Sequence, residues 1–225
     1  MWWRSRPVLL AAGAVAAFLY ANFLLDALLS PDHDWLMVVS RLEVPGEENA
    51  TLLRVTDVIC SAVVILLIVP ALWTAPRATS RHRIAGALTI AFAVGGILAA
   101  IVPLPCVAGV PCDSPAQHLQ TLWHDIFSVA SASTLFLGAG FVSLETRHDG
   151  PVWLHRFALF TFWIGGIVGT TLFLSFGWAD SSSWQTGLTQ RLQLICMSIW
   201  IYCLAVVAEQ AWNDERPRGA GRRAG

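Results

Sequence analysis

The sequence contains no lysine and has little charge of either sign. All 14 basic residues are arginine, and charged residues make up 13% of the 225 residues, against 56% hydrophobic residues. Soluble domains of this size have about a quarter of their residues charged. This shortage of charge and a mean hydropathy of +0.60 exclude a soluble domain and predict an integral membrane protein. We attribute the lysine deficit to codon use in a GC-rich genome and infer no function from it.

The sequence also lacks any motif that identifies a reaction or a cofactor. No nucleophile constellation is recognisable. Haem held by two histidines needs two imidazoles at one depth, yet His124 is predicted near the outer side of the membrane and His155 near the inner side. We therefore expect no cofactor, no bound metal and no nucleic-acid partner, and we favour a non-enzymatic protein.

Long apolar runs separated by polar loops predict an all-α polytopic membrane protein with six transmembrane helices. About 20 residues suffice to cross the hydrocarbon core. The predicted helices cover residues 7–29, 52–73, 84–102, 117–144, 153–176 and 188–208, within one domain over residues 1–212. A signal peptide is the alternative for the first run, but its apolar residues continue through FLYANFLLDALL. Residues 213–225 are predicted to be a disordered basic tail.

Arginines concentrate in alternate loops and so predict the orientation. Short cytoplasmic loops are rich in arginine and lysine. The loop of residues 30–51 carries five acidic residues and one arginine, so we expect it to face outward. The arginine-rich loops contain Arg77, Arg81 and Arg83, then Arg147 and Arg156. Both termini are therefore predicted to be cytoplasmic, in the inner (plasma) membrane.

The five cysteines divide into two groups. Cys60, Cys196 and Cys203 lie in apolar helices, whereas Cys106 and Cys112 bracket an outward loop, CVAGVPC. Oxidation is permitted outside the cytoplasm, so this pair is predicted to form a disulfide that contributes about 2 kcal/mol. Two free thiols are the alternative. A zinc knuckle is disfavoured because no second pair completes four ligands.

Polar side chains recur at a similar depth near the outer ends of three predicted helices. A charge at the bilayer centre costs about 2.5 to 3.5 kcal/mol, so such groups need partners or a wet cavity. They are Arg54, Asp57 and Ser61 on the second helix, Gln120, His124, Asp125, Ser128 and Ser131 on the fourth, and Arg191 and Gln193 on the sixth. At 1.5 Å per residue, Asp57, Asp125 and Arg191 approach one plane.

Two interpretations of these polar residues remain open. In the first, Asp57 or Asp125 pairs with Arg191 or Arg54, and the ion pairs only hold the helix ends together. In the second, the groups line a pocket for an anionic lipid headgroup, with the two arginines as phosphate contacts. The predicted binding residues are Arg54, Asp57, His118, His124, Asp125, Ser128 and Arg191.

A hydrolytic zinc site is a further alternative. It would use His118, His124 and Asp125, with His33 supplied by the first loop. The spacing of these residues matches no standard helix-borne zinc motif, and the third histidine would come from a flexible loop.

Three stretches carry a resemblance to a known family. SRLEVPGEENATLLRVTDVI, PCDSPAQHLQTLWHDIFSVAS and TGLTQRLQLICMSIW resemble the actinobacterial branch of the domain-of-unknown-function 998 membrane proteins, with looser similarity to the FRAG/DRAM/Sfk-like group linked to membrane lipids. The matching positions are Ser40, Pro45, Gly46, Arg54, Asp57, Cys106, Cys112, His118, His124, Ser128, Gln190 and Arg191. The resemblance implies a six-helix membrane protein without an established activity. The chain has Val107 where the family pattern has an acidic residue, so no role of that carboxylate is carried over.

These observations predict a membrane protein that binds a membrane lipid, or a membrane-protein partner, through an outer polar pocket. The cysteine loop is expected to cap this pocket above His124. One alternative is an intramembrane hydrolase or lipid-modifying enzyme that uses His124 and Asp125. A small-solute transporter is another, although the two halves show no sequence echo and no paired Gly/Pro-broken helices.

Overall fold

The computed structural model describes residues 5–32, 36–75, 78–107, 110, 112–179 and 183–213. Within these residues it contains eight helices and no β-strand, which confirms the all-α fold class. The helices are α1 (Arg6–Tyr20), α2 (Phe23–Leu29), α3 (Val39–Leu42), α4 (Ala50–Thr74), α5 (Ser80–Ile101), α6 (Pro115–Asp149), α7 (Val152–Trp178) and α8 (Trp184–Asn213). The predicted basic tail lies outside the described residues beyond position 213.

Five of these helices are long and apolar enough to cross a membrane, and α1 with α2 would make a sixth span. The first apolar run is predicted as one helix, but the structure bends it by 61° between α1 and α2. Asn22 lies at this bend and is 2% exposed. Its Nδ2 donates to the Leu53 carbonyl at 3.1 Å and to Asp57 Oδ1 at 2.8 Å on α4. The bend therefore turns a buried amide toward polar partners on the neighbouring span.

Local sequence signals set several helix ends. Thr79 and Ser114 each accept a hydrogen bond from the backbone three residues later, and both sites form capping boxes that start α5 and α6. Pro103, which follows the end of α5, cannot continue the helix. The α6 helix is longer than its predicted 117–144 range, because the cap at Ser114 starts it early and it continues to Asp149.

The six spans form a closed ring around an apolar core. Each span packs against the next along the chain, and α1 packs against α8 to close the ring. Trp200, Phe92 and Leu204 are fully buried in this core. A Cβ added at Gly13 would lie 2.4 Å from the Cβ of Ala205, so α1 and α8 approach closely where the sequence has small residues.

The two ends of the ring are distinguished by the chain segments that lie there. Arg6 lies 3.7 Å from Glu209, so the start of α1 and the end of α8 share one end. The opposite end carries the Cys106–Cys112 loop and is called here the disulfide end. It also carries residues 36–49, called here the α3 segment, which contain the short α3 helix and lead into α4. The predicted orientation would place the disulfide end outside the cell.

Candidate functional site

A cavity of about 160 Å³ lies inside the ring near the disulfide end, and all six spans and the α3 segment contribute to its lining. At about 30 Å³ per water molecule, it has room for roughly five waters, the scale of a small polar headgroup. Its polar lining includes Tyr20, Asn22, Ser40, Glu43, Asp57, Ser61, His124, Ser128, Thr170, Gln190 and Gln193. We call it the central cavity.

Two carboxyl groups form the acidic wall of the central cavity. Glu43 of the α3 segment and Asp57 of α4 are hydrogen-bonded to each other. A carboxylate only accepts hydrogen bonds, so a carboxyl–carboxyl bond requires a shared proton. Glu43 is 8% exposed. Its burial raises its pKa to about 7, although its hydrogen bond with Asp57 and the positive charge of Arg54 both lower that pKa.

His124 also lines the central cavity and caps a helix. Its Nδ1 lies 2.9 Å from the Val102 carbonyl oxygen and 3.3 Å from that of Ala99, at the end of α5. Carbonyl oxygens at a helix end have no partner within the helix, so these two assign the hydrogen to Nδ1. The Nε2 is left as an acceptor, 3.4 Å from the Ser128 hydroxyl. One imidazole therefore closes α5 and presents its Nε2 to the cavity.

Gln193 of α8 links the cavity to an unusual stretch of α7. Residues Thr161–Val168 of α7 form a π-helix, a wider turn that often lies at functional sites. Gln193 Nε2 donates to the Gly165 carbonyl at 3.2 Å and to Thr170 Oγ1 at 3.0 Å. These bonds hold α7 and α8 together beside the cavity.

The predicted site residues on α6 do not all face the cavity. His118 and Asp125 are both exposed, whereas His124 and Ser128 line the cavity. The described residues include no group of three or more His, Cys, Asp or Glu side chains placed to hold a metal ion. His33, the third histidine of the zinc hypothesis, lies outside the described residues. The structure therefore adds no support to a zinc site at these positions.

The two predicted phosphate contacts also lie outside the cavity lining. Arg191 is 3% exposed, and its Nη1 donates to the carbonyl oxygens of Met37 and Gly187. Arg54 Nε donates to the Ala50 carbonyl at 3.3 Å. No arginine is among the described residues that line the central cavity. Its charged wall is acidic, which differs from the anionic-headgroup interpretation.

Glu43 and Asn22 are among the lining residues that the sequence did not reveal. Glu43 is one of five acidic residues in the loop that is predicted to face outward, and Asn22 is a polar residue within the first apolar run. The sequence does hold a sign that Glu43 is buried, because it lies between two apolar residues, Leu42 and Val44. Both are buried in the structure, and the carboxyl group between them is buried with them.

The central cavity reaches the apolar surface of the ring through a gap between α6 and α7. Val129 and Leu174 both line the cavity, yet they are 47% and 51% exposed. In a membrane this surface faces lipid rather than water. The cavity therefore has a lateral opening, defined by these two residues, with an apolar rim and a polar interior.

The disulfide predicted between Cys106 and Cys112 is confirmed, with 6.0 Å between the two Cα atoms. Val107 in this loop lies against the turn at Gly46: a Cβ added there would be 3.8 Å from Val107 Cγ1. Gly46 has a φ of +112°, which favours glycine. The loop thus contacts the α3 segment three residues from Glu43. Capping of the cavity above His124 stays a prediction, since residues 108–109 and 111 lie outside the described residues.

We expect Cys112→Ser to lower the free energy of unfolding by about 2 kcal/mol, since the bridge restricts the unfolded chain. Intact-mass analysis after non-reducing alkylation should show two fewer labelled thiols than after reduction. As a control, reductant should destabilise the wild-type protein and leave Cys112→Ser unchanged. Equal labelling before and after reduction would contradict the bridge.

Comparison with known families gives one match. Residues 7–207 match the family described as "Protein of unknown function (DUF998)". No curated protein and no solved structure matches the chain. The family match covers nearly all of the described helices, and it agrees with the resemblance carried by the α3 segment, the cysteine loop and the start of α8. The chain is a multi-pass membrane protein that belongs to the DUF998 family.

Proposed function

We propose that the protein is a non-enzymatic membrane protein that binds a lipid by taking its polar headgroup into the central cavity through the lateral opening. The observation that carries this proposal is the opening at Val129 and Leu174, which joins a polar interior to the lipid-facing surface. A lipid matches both environments, because its tails can stay in the bilayer while its headgroup reaches buried polar groups. We place the protein in the plasma membrane, in the orientation that the arginine pattern predicts.

Buried polar groups that bind no ligand are normally satisfied by one another. Several groups in the central cavity follow this rule, including Asn22 and Gln193. The shared proton of Glu43 and Asp57, the acceptor Nε2 of His124 and the polar lining around them offer further hydrogen-bonding capacity. This capacity, within a space of headgroup size, supports ligand binding over a purely structural role.

A hydrolase is the second candidate, favoured by the contact between the Ser128 hydroxyl and His124 Nε2 at 3.4 Å. A nucleophile next to a base is the usual arrangement for covalent catalysis. However, serine and histidine four residues apart on a helix come into contact through helix geometry alone. Asp125, the predicted carboxylate partner, is exposed outside the cavity lining. Lipid binding is therefore the better-supported proposal.

A plug at the lateral opening tests lipid binding. We expect Val129→Trp to reduce co-purified lipid by roughly tenfold, equivalent to about 1.4 kcal/mol of binding free energy, because the indole would fill the gap. Native mass spectrometry of detergent-purified protein measures the retained lipid. Val94→Trp is the matched control, since Val94 is 43% exposed on α5 and does not line the cavity. Equal lipid retention by both variants would contradict the proposal.

A further inference from the structure

The acidic wall of the central cavity brings together two carboxyl groups, which is more than the hydrogen-bonding needs of the neighbouring polar groups require. Glu43 and Asp57 come from different elements and share one proton. Asn22 donates to Asp57 Oδ1 at 2.8 Å. The positive charge of Arg54 on α4 acts on Glu43. Tyr20 on α1 and His124 on α6 line the same cavity. Arg54 is the only permanently charged basic group among these neighbours in the described structure.

Ser61 supplies an independent observation that points to a ligand. It is 3% exposed and lines the central cavity, one helical turn beyond Asp57 on the same face of α4. Its hydroxyl has no hydrogen-bond partner among the described residues, and it borders the cavity at Gly96, where an added Cβ would lie 3.3 Å from Ser61 Oγ. A buried hydroxyl that faces a cavity without a partner lacks the bonds such groups normally make.

Three acceptors that line the central cavity match the hydrogen-bonding needs of a primary ammonium group. An ammonium carries three hydrogen-bond donors and no acceptor. The two carboxylates and the Ser61 hydroxyl provide three acceptors of suitable type, and two of them carry charge, which strengthens the bonds. A quaternary ammonium or a phosphate would not use this set, because the first has no N–H group and the second is repelled by carboxylates.

The local charge favours exchange of a proton for the ammonium rather than simple addition. With one shared proton, the carboxyl pair carries a single negative charge, and the positive charge of Arg54 offsets it. Adding an ammonium while keeping the proton would leave one uncompensated positive charge, which is costly in a buried site. Releasing the proton to the solvent as the ammonium enters keeps the local net charge at zero.

We propose that Glu43, Asp57 and Ser61 form a binding site for a primary ammonium group, as carried by an amine-bearing lipid headgroup, and that the ammonium replaces the proton shared by the two carboxyls. The inference rests on the proposed lipid-binding function and names its ligand class. The acidic wall is thereby the part of the cavity that selects among headgroups.

The pKa of Glu43 sets the direction of the expected pH dependence. Burial raises this pKa to about 7. Below that pH Glu43 takes up a proton of its own in addition to the shared one, and both protons compete with the ammonium. Above it only the shared proton has to be displaced. Affinity should therefore rise by at least tenfold from pH 6 to pH 8, with release of more protons per bound amine at pH 6 than at pH 8.

Calorimetric titration of the full-length protein in detergent micelles tests this inference. The probes are dihexanoyl phosphatidylethanolamine, dihexanoyl phosphatidylglycerol and free ethanolamine, each at pH 6 and pH 8 in two buffers of different ionisation enthalpy. Glu43→Gln keeps the size and hydrogen bonding of the side chain but cannot ionise. It should weaken phosphatidylethanolamine binding by about tenfold or more and reduce its pH dependence between pH 6 and pH 8. Asp113→Asn, in an exposed loop position, is the matched control and should change neither.

Ser61→Ala gives a second test that leaves both carboxyls in place. It should weaken phosphatidylethanolamine binding severalfold and retain the pH dependence. Size-exclusion profiles and melting curves identify any variant that fails to fold, in which case the other variant carries the test.

The outcomes separate the two proposals. Phosphatidylethanolamine binding with the expected pH and variant effects supports both. Equally tight binding of free ethanolamine supports the ammonium site and overturns lipid binding. Phosphatidylglycerol binding equal to that of phosphatidylethanolamine, unchanged by Glu43→Gln, overturns the ammonium site and leaves lipid binding standing. No binding of any probe overturns both.

Discussion

Gly187→Ala is expected to destabilise the protein by about 3 kcal/mol, at the upper end of the cost of overpacking. A Cβ at this position would lie 1.8 Å from the carbonyl oxygen of Leu36 and 2.7 Å from its carbonyl carbon. These are backbone atoms, so no rotamer change can relieve the collision, and the α3 segment must move away from α8. By the scaling for chains of 150–250 residues, the melting temperature should fall by about 6 to 12 °C.

Gly177→Ala is the matched control for this substitution. Its added Cβ would have Thr186 Cγ2 as its nearest neighbour, at the ordinary contact distance of 3.7 Å. The melting temperature of Gly177→Ala in detergent should therefore stay within a few degrees of the wild-type value. A similar fall in melting temperature in the two variants would show that the close approach of Leu36 to Gly187 does not determine stability.

Movement of the α3 segment should also disturb the central cavity. Gln190 Oε1 accepts a hydrogen bond from the Val39 backbone at 2.6 Å, and Arg191 binds the Met37 carbonyl. These bonds fix the segment that carries Glu43 toward Asp57. The start of α8 thus positions the acidic wall without contributing a charge to it.

The membrane spans and the disulfide could be predicted from sequence because each depends on local information. Runs of about 20 apolar residues identify spans whatever their neighbours are. Two cysteines six residues apart in a loop that is predicted to face outward identify each other in the same way. The 61° bend between α1 and α2 could not be predicted, because it depends on the contacts of Asn22 with Leu53 and Asp57 on the neighbouring α4.

The candidate site was predicted less completely, because depth along a helix does not give direction around it. His124 and Asp125 have nearly the same depth, but one residue corresponds to about 100° of rotation on an α-helix. The structure accordingly buries His124 beside the cavity and exposes Asp125. Asp57 and Arg191 share a depth too, yet Asp57 bonds to Asn22 and Arg191 to the Met37 carbonyl.

Several positions shared with the family pattern hold the α3 segment in place in this chain. Gln190 and Arg191 hold residues 37–39, and Gly46 provides a turn with positive φ beside the cysteine loop. Their common effect is to fix the α3 segment over the ring. Arg191, which the sequence suggested as a phosphate ligand, therefore holds the α3 segment in place from the start of α8.

Arg191→Met is expected to lower the free energy of unfolding by about 3 kcal/mol, since hydrogen bonds from charged groups contribute about 1.5 to 3 kcal/mol each. Methionine retains most of the side-chain volume next to Phe23, whose ring centroid lies 5.8 Å from the guanidinium. It cannot donate to the Met37 carbonyl. Thermal unfolding in detergent measures the loss, and limited proteolysis should show faster cleavage within residues 36–49.

Two further variants distinguish lost anchoring from a general effect of removing charge. Arg156 is exposed near the start of α7, so Arg156→Met removes the same charge without breaking a buried contact and should leave the melting temperature unchanged. Arg191→Lys keeps the charge but replaces a planar fork of donors by a single ammonium, so it should recover only part of the loss. If Arg191→Met melts and is cleaved like the wild type, the α3 segment is held by other contacts, and the positioning of Glu43 through α8 is wrong. If Arg191→Lys recovers full stability, a charge at this position is enough and the paired carbonyl contacts are not required.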